Sequence, residues 1–477
     1  MSIQKPTVAA LSLALLAASA LTDARAAEKA PPQPAGPLDR SGYFEPGALT
    51  SDDLRRVPLD PKSGVPKANL VIQNARLFDG TGAPAREATV VVAGNRISAV
   101  LPPGTTDWPR DASVIDAAGR TVIPGLVDLH THMTYLFEFG GAPALTSLNQ
   151  ADAALRGMER LRYFIESGIT SIRDTGSHGM APFILKQWSS EGRIPSPRVF
   201  ATGQVITATG GHATEGFTFE TAPEFEGAMV REANGPEDWR AAVREQFKRG
   251  ADWIKIASHY DESELKAAVD EAHRLGIRVT VDAETVFSDM AVRLGVDCIE
   301  HPLPRSDETV RLMAKNGIAS VPTIIPYQII IQEYGGYYGS TSRRFTLDEP
   351  RMFDMLRKMK DAGVRIGVGT DLILDWYRRL PEPYVQELRN LQRVGYTPEQ
   401  ALVAATRTSA EILGMGDKLG TIEPGKLADL VILDGRPDAD IEDLAKVRTV
   451  VVDGRVVVRD GKLELPRPPE PPKESTF

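Results

Sequence analysis

The hydrophobic and polar positions of this chain change their period between its ends and its middle. Short runs of β-branched residues, interrupted by Gly and Asn, follow residue 68 and return near the C-terminus. Such runs are typical of strands, and Asp453-Gly454 between two of them is a strong hairpin signal. Because the strands come from both ends of the chain, residues 68–120 and 414–462 are predicted to form one small composite β-sandwich.

The middle of the chain, residues 121–413, alternates short apolar segments with amphipathic segments of helical period. This is the pattern of βα units around a parallel sheet. Helices are predicted over 262–275, 352–362 and 398–413. The segments predicted as strands are 122–129, 169–173, 198–206, 252–257, 277–281, 298–300, 318–322 and 364–369. Eight strands in about 290 residues fit a (β/α)8 barrel of the TIM type. The predicted fold class is therefore α/β, a TIM barrel with a small β-sandwich.

The N-terminus has the pattern of a secretory signal peptide over residues 1–26. Lys5 precedes an uncharged stretch from Val8 to Leu21, and the small-residue pattern Ala24-Arg25-Ala26 follows. The apolar run is shorter than the ~20 residues that a membrane span needs. We therefore expect secretion across the inner membrane, into a periplasm.

Composition limits the classes of partner. The chain has 477 residues, a net charge of −9 and no basic stripe, so nucleic acid is not an expected partner. The single cysteine, Cys298, excludes an intrachain disulfide and a thiolate-rich metal site. Residues 27–67 are predicted to be a linker or N-terminal arm, and 463–477 a disordered tail. The mature protein is expected to have no membrane span and to act on a small molecule; the sequence leaves a homo-oligomer open.

The most informative motif is the pair His130 and His132, which ends the first predicted barrel strand. Residues two apart in a strand point to the same side, so both imidazoles can face one metal ion. Histidine is scarce, with 7 in the whole chain. The alternative is a pair of histidines on a half-exposed strand end, and the polar residues that end other strands make it the weaker interpretation.

Three further polar residues lie in or directly after predicted barrel strands. Lys255 lies between two isoleucines of the fourth strand, His301 follows the sixth and Asp371 follows the eighth. Each has a structural alternative: a surface lysine, a turn residue and a helix N-cap, respectively. Because the carboxyl ends of barrel strands meet at one rim, the residues together predict a site there.

With these residues the chain resembles the amidohydrolase superfamily over roughly residues 68–462. The resemblance is greatest to the branch of imidazolonepropionase-like proteins and of Xaa-Pro and Xaa-Arg dipeptidases. It implies a metal-dependent hydrolase that acts on carbon–nitrogen bonds. The matching motifs are Pro124-Gly-Leu-Val-Asp-Leu-His-Thr-His132, Arg173-Asp-Thr-Gly176, Thr209-Gly-Gly-His212, Trp253-Ile-Lys255, Ile299-Glu-His301 and Gly369-Thr-Asp371.

The resemblance also implies a role for each residue. His130, His132 and Asp371 would hold a first metal ion, and His301 a second. Lys255 would be carboxylated by CO2, and the carbamate would bridge the two ions. Asp371 would take a proton from the attacking water and deliver it to the departing amine. Zinc is the expected metal, as one or two ions, with Mn as an alternative.

The fifth predicted strand departs from the family pattern. Where the family has a histidine ligand, this chain has Asp282. Three interpretations stay open, in order of preference. Asp282 ligates the second metal and favours a more oxygen-tolerant ion such as Mn; the protein works with one metal; or the site is weakened and the protein binds its ligand without cleaving it.

Residues on loops after the strands are candidates for contact with the substrate. His212 and Tyr260 are interpreted in this way, although a solvated loop histidine is equally typical of the sequence around His212. A long aromatic loop is predicted over 327–345, where it would line the pocket. The expected activity is hydrolysis of an amide or peptide bond in a dipeptide or N-acyl amino acid. A cyclic amidase or deaminase with the same metal centre, and a catalytically weakened binding protein, are the alternatives.

Overall fold

The computed structural model describes residues 69–135, 150–212, 214, 229–336 and 347–465. The predicted signal peptide and N-terminal arm, and nearly all of the predicted tail, lie outside these ranges. Within them, no helix combines the length and the apolar character that crossing a bilayer requires.

The described chain begins and ends with strands, and its middle alternates strands with helices. The strands are β1 (Leu70–Leu77), β2 (Arg86–Ala93), β3 (Arg96–Leu101), β4 (Ser113–Asp116), β5 (Thr121–Pro124), β6 (Leu126–Thr131), β7 (Ile169–Asp174), β8 (Arg198–Ala201), β9 (Val205–Thr207), β10 (Val230–Glu232), β11 (Trp253–Ala257), β12 (Arg278–Asp282), β13 (Cys298–Glu300), β14 (Ala319–Val321), β15 (Leu430–Leu433), β16 (Val447–Val452), β17 (Arg455–Arg459) and β18 (Lys462–Leu463). The α-helices are α1 (Gln150–Glu166), α2 (Ala181–Ser190), α3 (Pro236–Arg249), α4 (Glu262–Arg274), α5 (Thr285–Arg293), α6 (Asp307–Asn316), α7 (Ile324–Tyr334), α8 (Glu349–Asp361), α9 (Glu382–Arg393), α10 (Pro398–Val403) and α11 (Ser409–Leu413), with a π-helical turn, Ala404–Thr408, between the last two.

Strands from both ends of the described chain pair in one nine-stranded sheet. Its order is β18-β17-β16-β15-β5-β1-β2-β3, and β4 pairs with β1. The strand β5 joins the two halves, because it pairs parallel with β1 and antiparallel with β15. Apolar side chains from both halves, such as Ile72, Val90 and Leu430, share one buried core. The two predicted strand sets therefore combine as one sheet, and their arrangement as a two-layered sandwich stays a prediction.

The middle of the chain has the predicted α/β class. Its strands pair in parallel as β6-β7-β8 and as β10-β9-β11-β12-β13-β14, with helices between most of the successive strands. A single bridge from Ser320 to Ile366 represents the eighth predicted strand. This parallel, helix-separated arrangement is TIM-barrel-like, and it places the ends of β6, β11, β12 and β13 on one side.

The first predicted barrel strand, 122–129, is divided in the structure at Gly125. The part before it is β5 of the terminal sheet, and the part after it is β6. A Cβ atom at residue 125 would lie 1.9 Å from Thr170 Oγ1, so only glycine lets the chain pass so close to β7. The predicted strand 198–206 is likewise divided, into β8 and β9. A hydrophobic period cannot show these divisions, because apolar residues continue across them.

The predicted aromatic loop is wrong in its first part, because Tyr327 lies inside helix α7. The buried isoleucines of α7, among them Ile324 and Ile325, stabilise a helix that the aromatic and glycine residues concealed. The Glu387 carboxylate accepts hydrogen bonds from the backbone N–H groups of both isoleucines, at 3.0 and 3.1 Å. The rest of the predicted loop, residues 337–346, lies outside the described residues.

Candidate active site

His130 and His132, at the end of β6, turn the same ring nitrogen toward one carboxylate. His130 Nε2 lies 3.5 Å from Asp371 Oδ1, and His132 Nε2 lies 3.2 Å from the same oxygen. The other nitrogen of each ring meets an acceptor. His130 Nδ1 is 2.7 Å from Glu300 Oε2, and His132 Nδ1 is 2.9 Å from the Gly176 carbonyl oxygen. Each Nδ1 is thus occupied, and each Nε2 points to Asp371.

Asp371 is held against β6 by its own backbone. Its N–H donates to the His130 carbonyl oxygen at 2.7 Å, and its φ of 48° is in the left-handed region. The chain reaches this position through Gly369, where a Cβ atom would lie 2.8 Å from His130 Cβ. A glycine is therefore required where the segment before Asp371 crosses the histidine strand.

The ligand atoms of His130, His132 and Asp371 all lie within 4.8 Å of one another. Two imidazole nitrogens and a carboxylate oxygen are donors that zinc and related divalent ions accept. The structure therefore brings together the three residues that the resemblance implied for a first metal ion.

The electrostatics of this cluster favour the ligating forms of its members. Burial, together with the nearby charge of Lys255, lowers the pKa of His130 to about 3, so the imidazole is neutral at physiological pH. Burial opposes the charged form of Asp371, but the rings of His130, His132 and His301 outweigh it and hold the pKa of that carboxyl well below its usual range. A neutral imidazole and a carboxylate are the forms that bind a metal ion.

Lys255 lies in β11 with only 3% of its surface exposed. Its side chain contributes to lowering the pKa values of both His130 and Glu300. The surface-lysine alternative is thereby excluded. Carboxylation of the amine stays a prediction.

Asp282, the residue that replaces the family histidine, lies between two histidines. Its Oδ2 is 3.1 Å from His301 Nε2 and 3.3 Å from His212 Nε2. The other ring nitrogen of His301, Nδ1, lies 2.6 Å from Thr323 Oγ1 and 3.9 Å from Asp371 Oδ2. His301 therefore connects the two carboxylates. Of the residues predicted for a second metal, these contacts bring His301 and Asp282 together.

The second substrate candidate, Tyr260, is turned toward neighbouring side chains. Its hydroxyl donates to the Phe287 carbonyl oxygen at 2.9 Å, and its ring packs against Trp239 and Phe287. Only 5% of the residue is exposed. Contact of Tyr260 with a substrate stays a prediction, as does contact of His212.

Glu300 is a site residue that the sequence reasoning missed. It is fully buried and meets His130 through one oxygen and Arg173 Nη2, at 2.6 Å, through the other. The available signal was a pair of opposite charges, Arg173 and Glu300, each the only charged residue of its predicted strand. Charged residues are rarely buried unless they are paired.

A family model described as the amidohydrolase family matches residues 121–457. The chain belongs to the amidohydrolase family. Among the curated relatives of this amidohydrolase is imidazolonepropionase of Symbiobacterium thermophilum, 27% identical over 442 residues, which are 84% of this chain and 95% of that protein. Imidazolonepropionase of Geobacillus kaustophilus is 26% identical over 391 residues, 75% of this chain and 86% of that protein.

Two solved structures of dipeptide hydrolases also match this amidohydrolase. A prolidase complexed with N-methylphosphonate-L-proline is 30% identical, with a TM-score of 0.74 over 82% of this chain and 100% of that chain. A Xaa-Pro dipeptidase with methionine bound in its active site is 29% identical, with a TM-score of 0.71 over 82% of this chain and 99% of that chain. The chain is therefore a hydrolase that acts on carbon–nitrogen bonds, as predicted.

Proposed function

We propose that this amidohydrolase is an exported, metal-dependent enzyme that cleaves the amide or peptide bond of a dipeptide or N-acyl amino acid. The observation that carries the proposal is the convergence of His130, His132 and Asp371 on one point. The similarity to a prolidase and a Xaa-Pro dipeptidase supports the substrate class. Export rests on the signal-peptide pattern of residues 1–26.

The proposed chemistry follows from the position of each group. A divalent ion, when bound, supplies an activated water and polarises the substrate carbonyl. The acceptors on Nδ1 of His130 and His132 orient both rings so that Nε2 is available for the ion. Asp371 has one oxygen toward these rings and the other toward His301, at 3.9 Å from His301 Nδ1. In this position it can accept a proton and return it to the departing amine.

We further infer that the parallel strands close into an eight-stranded barrel around this site. Backbone hydrogen bonds support closure on both sides of the eighth segment: Gly367 N–H donates to Ser320 O at 2.9 Å, and Leu129 N–H to Val368 O at 2.8 Å. Between the two parallel sheets, Asp252 N–H donates to Ala201 O at 2.8 Å. Closure would explain why ligands from distant parts of the chain meet.

The second metal position depends on Asp282. One ion at His130, His132 and Asp371 is the arrangement that the geometry supports best. A second ion would use His301 and Asp282, with a carbamate on Lys255 as the bridge, and the contact of Asp282 with His301 is compatible with this role. An additional carboxylate adds negative charge and a harder donor, which favours Mn over Zn.

Metal removal tests the proposed function. We expect the purified enzyme to hold one or two equivalents of Zn or Mn and to hydrolyse members of a dipeptide library that includes Xaa-Pro and Xaa-Arg. A chelator should abolish hydrolysis, and Zn²⁺ or Mn²⁺ with bicarbonate should restore it. Absence of both bound metal and hydrolysis after reconstitution would refute the proposal.

A cyclic amidase is the second candidate function. It is favoured by the similarity to imidazolonepropionase along most of the chain. The same assay should therefore contain cyclic amides and a readout for ammonia, which reports deamination. Turnover of a cyclic amide with none of any dipeptide would replace the first candidate by the second.

The substitution Asp282→His tests the role of Asp282. If Asp282 is a ligand, an imidazole in its place should raise the Zn-to-Mn ratio of the protein, because nitrogen is the softer donor. The measurement is metal content after dialysis against equal concentrations of both ions. Asp361→His, an exposed position at the end of α8, is the matched control and should leave the ratio unchanged. A ratio in Asp282→His equal to that of the unmodified protein would show that Asp282 is not a ligand.

A further inference from the structure

Glu300 is the meeting point of hydrogen bonds from three other strands. It ends β13, and none of its side chain is exposed. Its Oε1 accepts from Arg173 Nη2 of β7, at 2.6 Å, and from the hydroxyl of Thr280 of β12. Its Oε2 lies 2.7 Å from His130 Nδ1 of β6. A buried carboxylate with partners in three directions cannot turn without breaking one of them.

Arg173 holds Glu300 and also the backbone next to His130. Its Nε donates to the carbonyl oxygen of Leu129, the residue before His130, at 2.7 Å. Its guanidinium lies over the Trp253 ring, 4.6 Å from the ring centroid. Arg173 therefore holds both the carboxylate that meets His130 and the backbone that carries it.

We propose that Glu300, held by Arg173, is the positioning residue that fixes His130 in the tautomer protonated on Nδ1 and directs Nε2 to the metal position. Both ring nitrogens face carboxylate oxygens, which only accept, but Glu300 Oε2 lies 2.7 Å from Nδ1 whereas Asp371 Oδ1 lies 3.5 Å from Nε2. The neutral ring therefore places its proton on Nδ1, toward Glu300, where the hydrogen bond is short. The lone pair then lies on Nε2, the nitrogen 3.5 Å from Asp371 Oδ1. The inference rests on the metal site of the proposed function.

The two ligand histidines differ in their acceptors. His132 has the neutral carbonyl of Gly176 on Nδ1, whereas His130 has a buried carboxylate. A charge-assisted hydrogen bond is the stronger of the two and raises the basicity of the ligating nitrogen. Glu300 therefore makes His130 the more firmly oriented of the two ligands.

The substitution Glu300→Gln tests this role with two measurements that do not use activity. In the metal-free protein, long-range ¹H–¹⁵N NMR of the histidine rings, assigned with His130→Gln, should show the Nδ1–H tautomer of His130 in the unmodified enzyme. In Glu300→Gln the amide group can donate to Nδ1, so a mixture of tautomers is expected. Affinity for Zn²⁺, measured by chelator competition, should fall by about 10- to 100-fold.

Asp429→Asn is the matched control. Asp429 is also a buried carboxylate on an arginine, Arg198, at 2.6 Å, but it lies in the terminal strand set. Its loss should lower thermal stability and leave Zn²⁺ affinity within about twofold of the unmodified enzyme, a much smaller change than the loss of a hydrogen-bond partner of a metal ligand should cause. If Glu300→Gln fails to fold, the double variant Glu300→Gln/Arg173→Met leaves no uncompensated charge and should show the same fall in affinity.

An Nε2–H tautomer of His130 in the unmodified metal-free protein would overturn the inference. So would unchanged Zn²⁺ affinity in a folded Glu300 variant. Failure of the unmodified enzyme to bind either Zn²⁺ or Mn²⁺ would instead count against the proposed function, and the tautomer measurement would still decide the role of Glu300.

Discussion

Replacing Asp371 with asparagine is expected to lower kcat by about 10²- to 10⁴-fold, the range of general acid–base catalysis, while much of the bound metal remains. Asparagine has nearly the same shape, and its amide oxygen can still face His130 and His132. It cannot take a proton from the attacking water or deliver one to the departing amine. The measurements are kcat on the best dipeptide and metal content of the same preparation.

Asp354→Asn makes the same chemical change outside the site. Asp354 is exposed on α8 and pairs with Arg357 at 2.7 Å. This variant should keep full turnover. Turnover by Asp371→Asn within about tenfold of the unmodified enzyme would be too high for a lost proton carrier, and it would assign Asp371 to metal binding alone.

Replacing His132 with alanine is expected to remove the first metal ion and, with it, all measurable turnover. The cluster would keep only His130 and Asp371, and two donors do not hold zinc in a site where three or four are usual. Metal content and turnover should therefore fall together.

The matched control is His273→Ala. His273 lies on α4 and pairs with Asp297 at 3.3 Å, away from the three-ligand cluster. It should keep both metal and turnover. Retention of metal by His132→Ala, at the level of the His273→Ala protein, would show that His132 is not a ligand.

The sequence predicted the residues of the site better than the side chains that form hydrogen bonds with them. His130, His132 and Asp371 could be found because they follow predicted strands, and the ends of parallel strands meet by geometry. The Asp282 contacts depend on the position of His212, which lies on a loop without a regular period. Glu300 could not be placed because a strand of three residues does not reveal which way its side chains point.

The divisions of the predicted strands depend on close packing between segments distant in sequence. Gly125 is required by Thr170, a residue of β7 that no local pattern connects with it. Helix α7 was concealed for a related reason. Its isoleucines lie on several faces of the helix, so they give no clear helical period. The Glu387 carboxylate that accepts hydrogen bonds from its first N–H groups comes from α9. Tertiary partners of this kind outweigh local propensity.

The strand β5 connects the terminal sheet directly to the strand that carries a predicted metal ligand. β5 pairs with β1 on one side and with β15 on the other, and only Gly125 separates it from the strand that carries His130. An engineered fragment limited to residues 121–413 would lose both neighbours of β5 at once. The strand β6, which carries His130, would then follow an unpaired β5 at the N-terminus of the fragment. For protein engineering, the terminal strands are therefore part of the minimal enzyme and cannot be trimmed as a separate module.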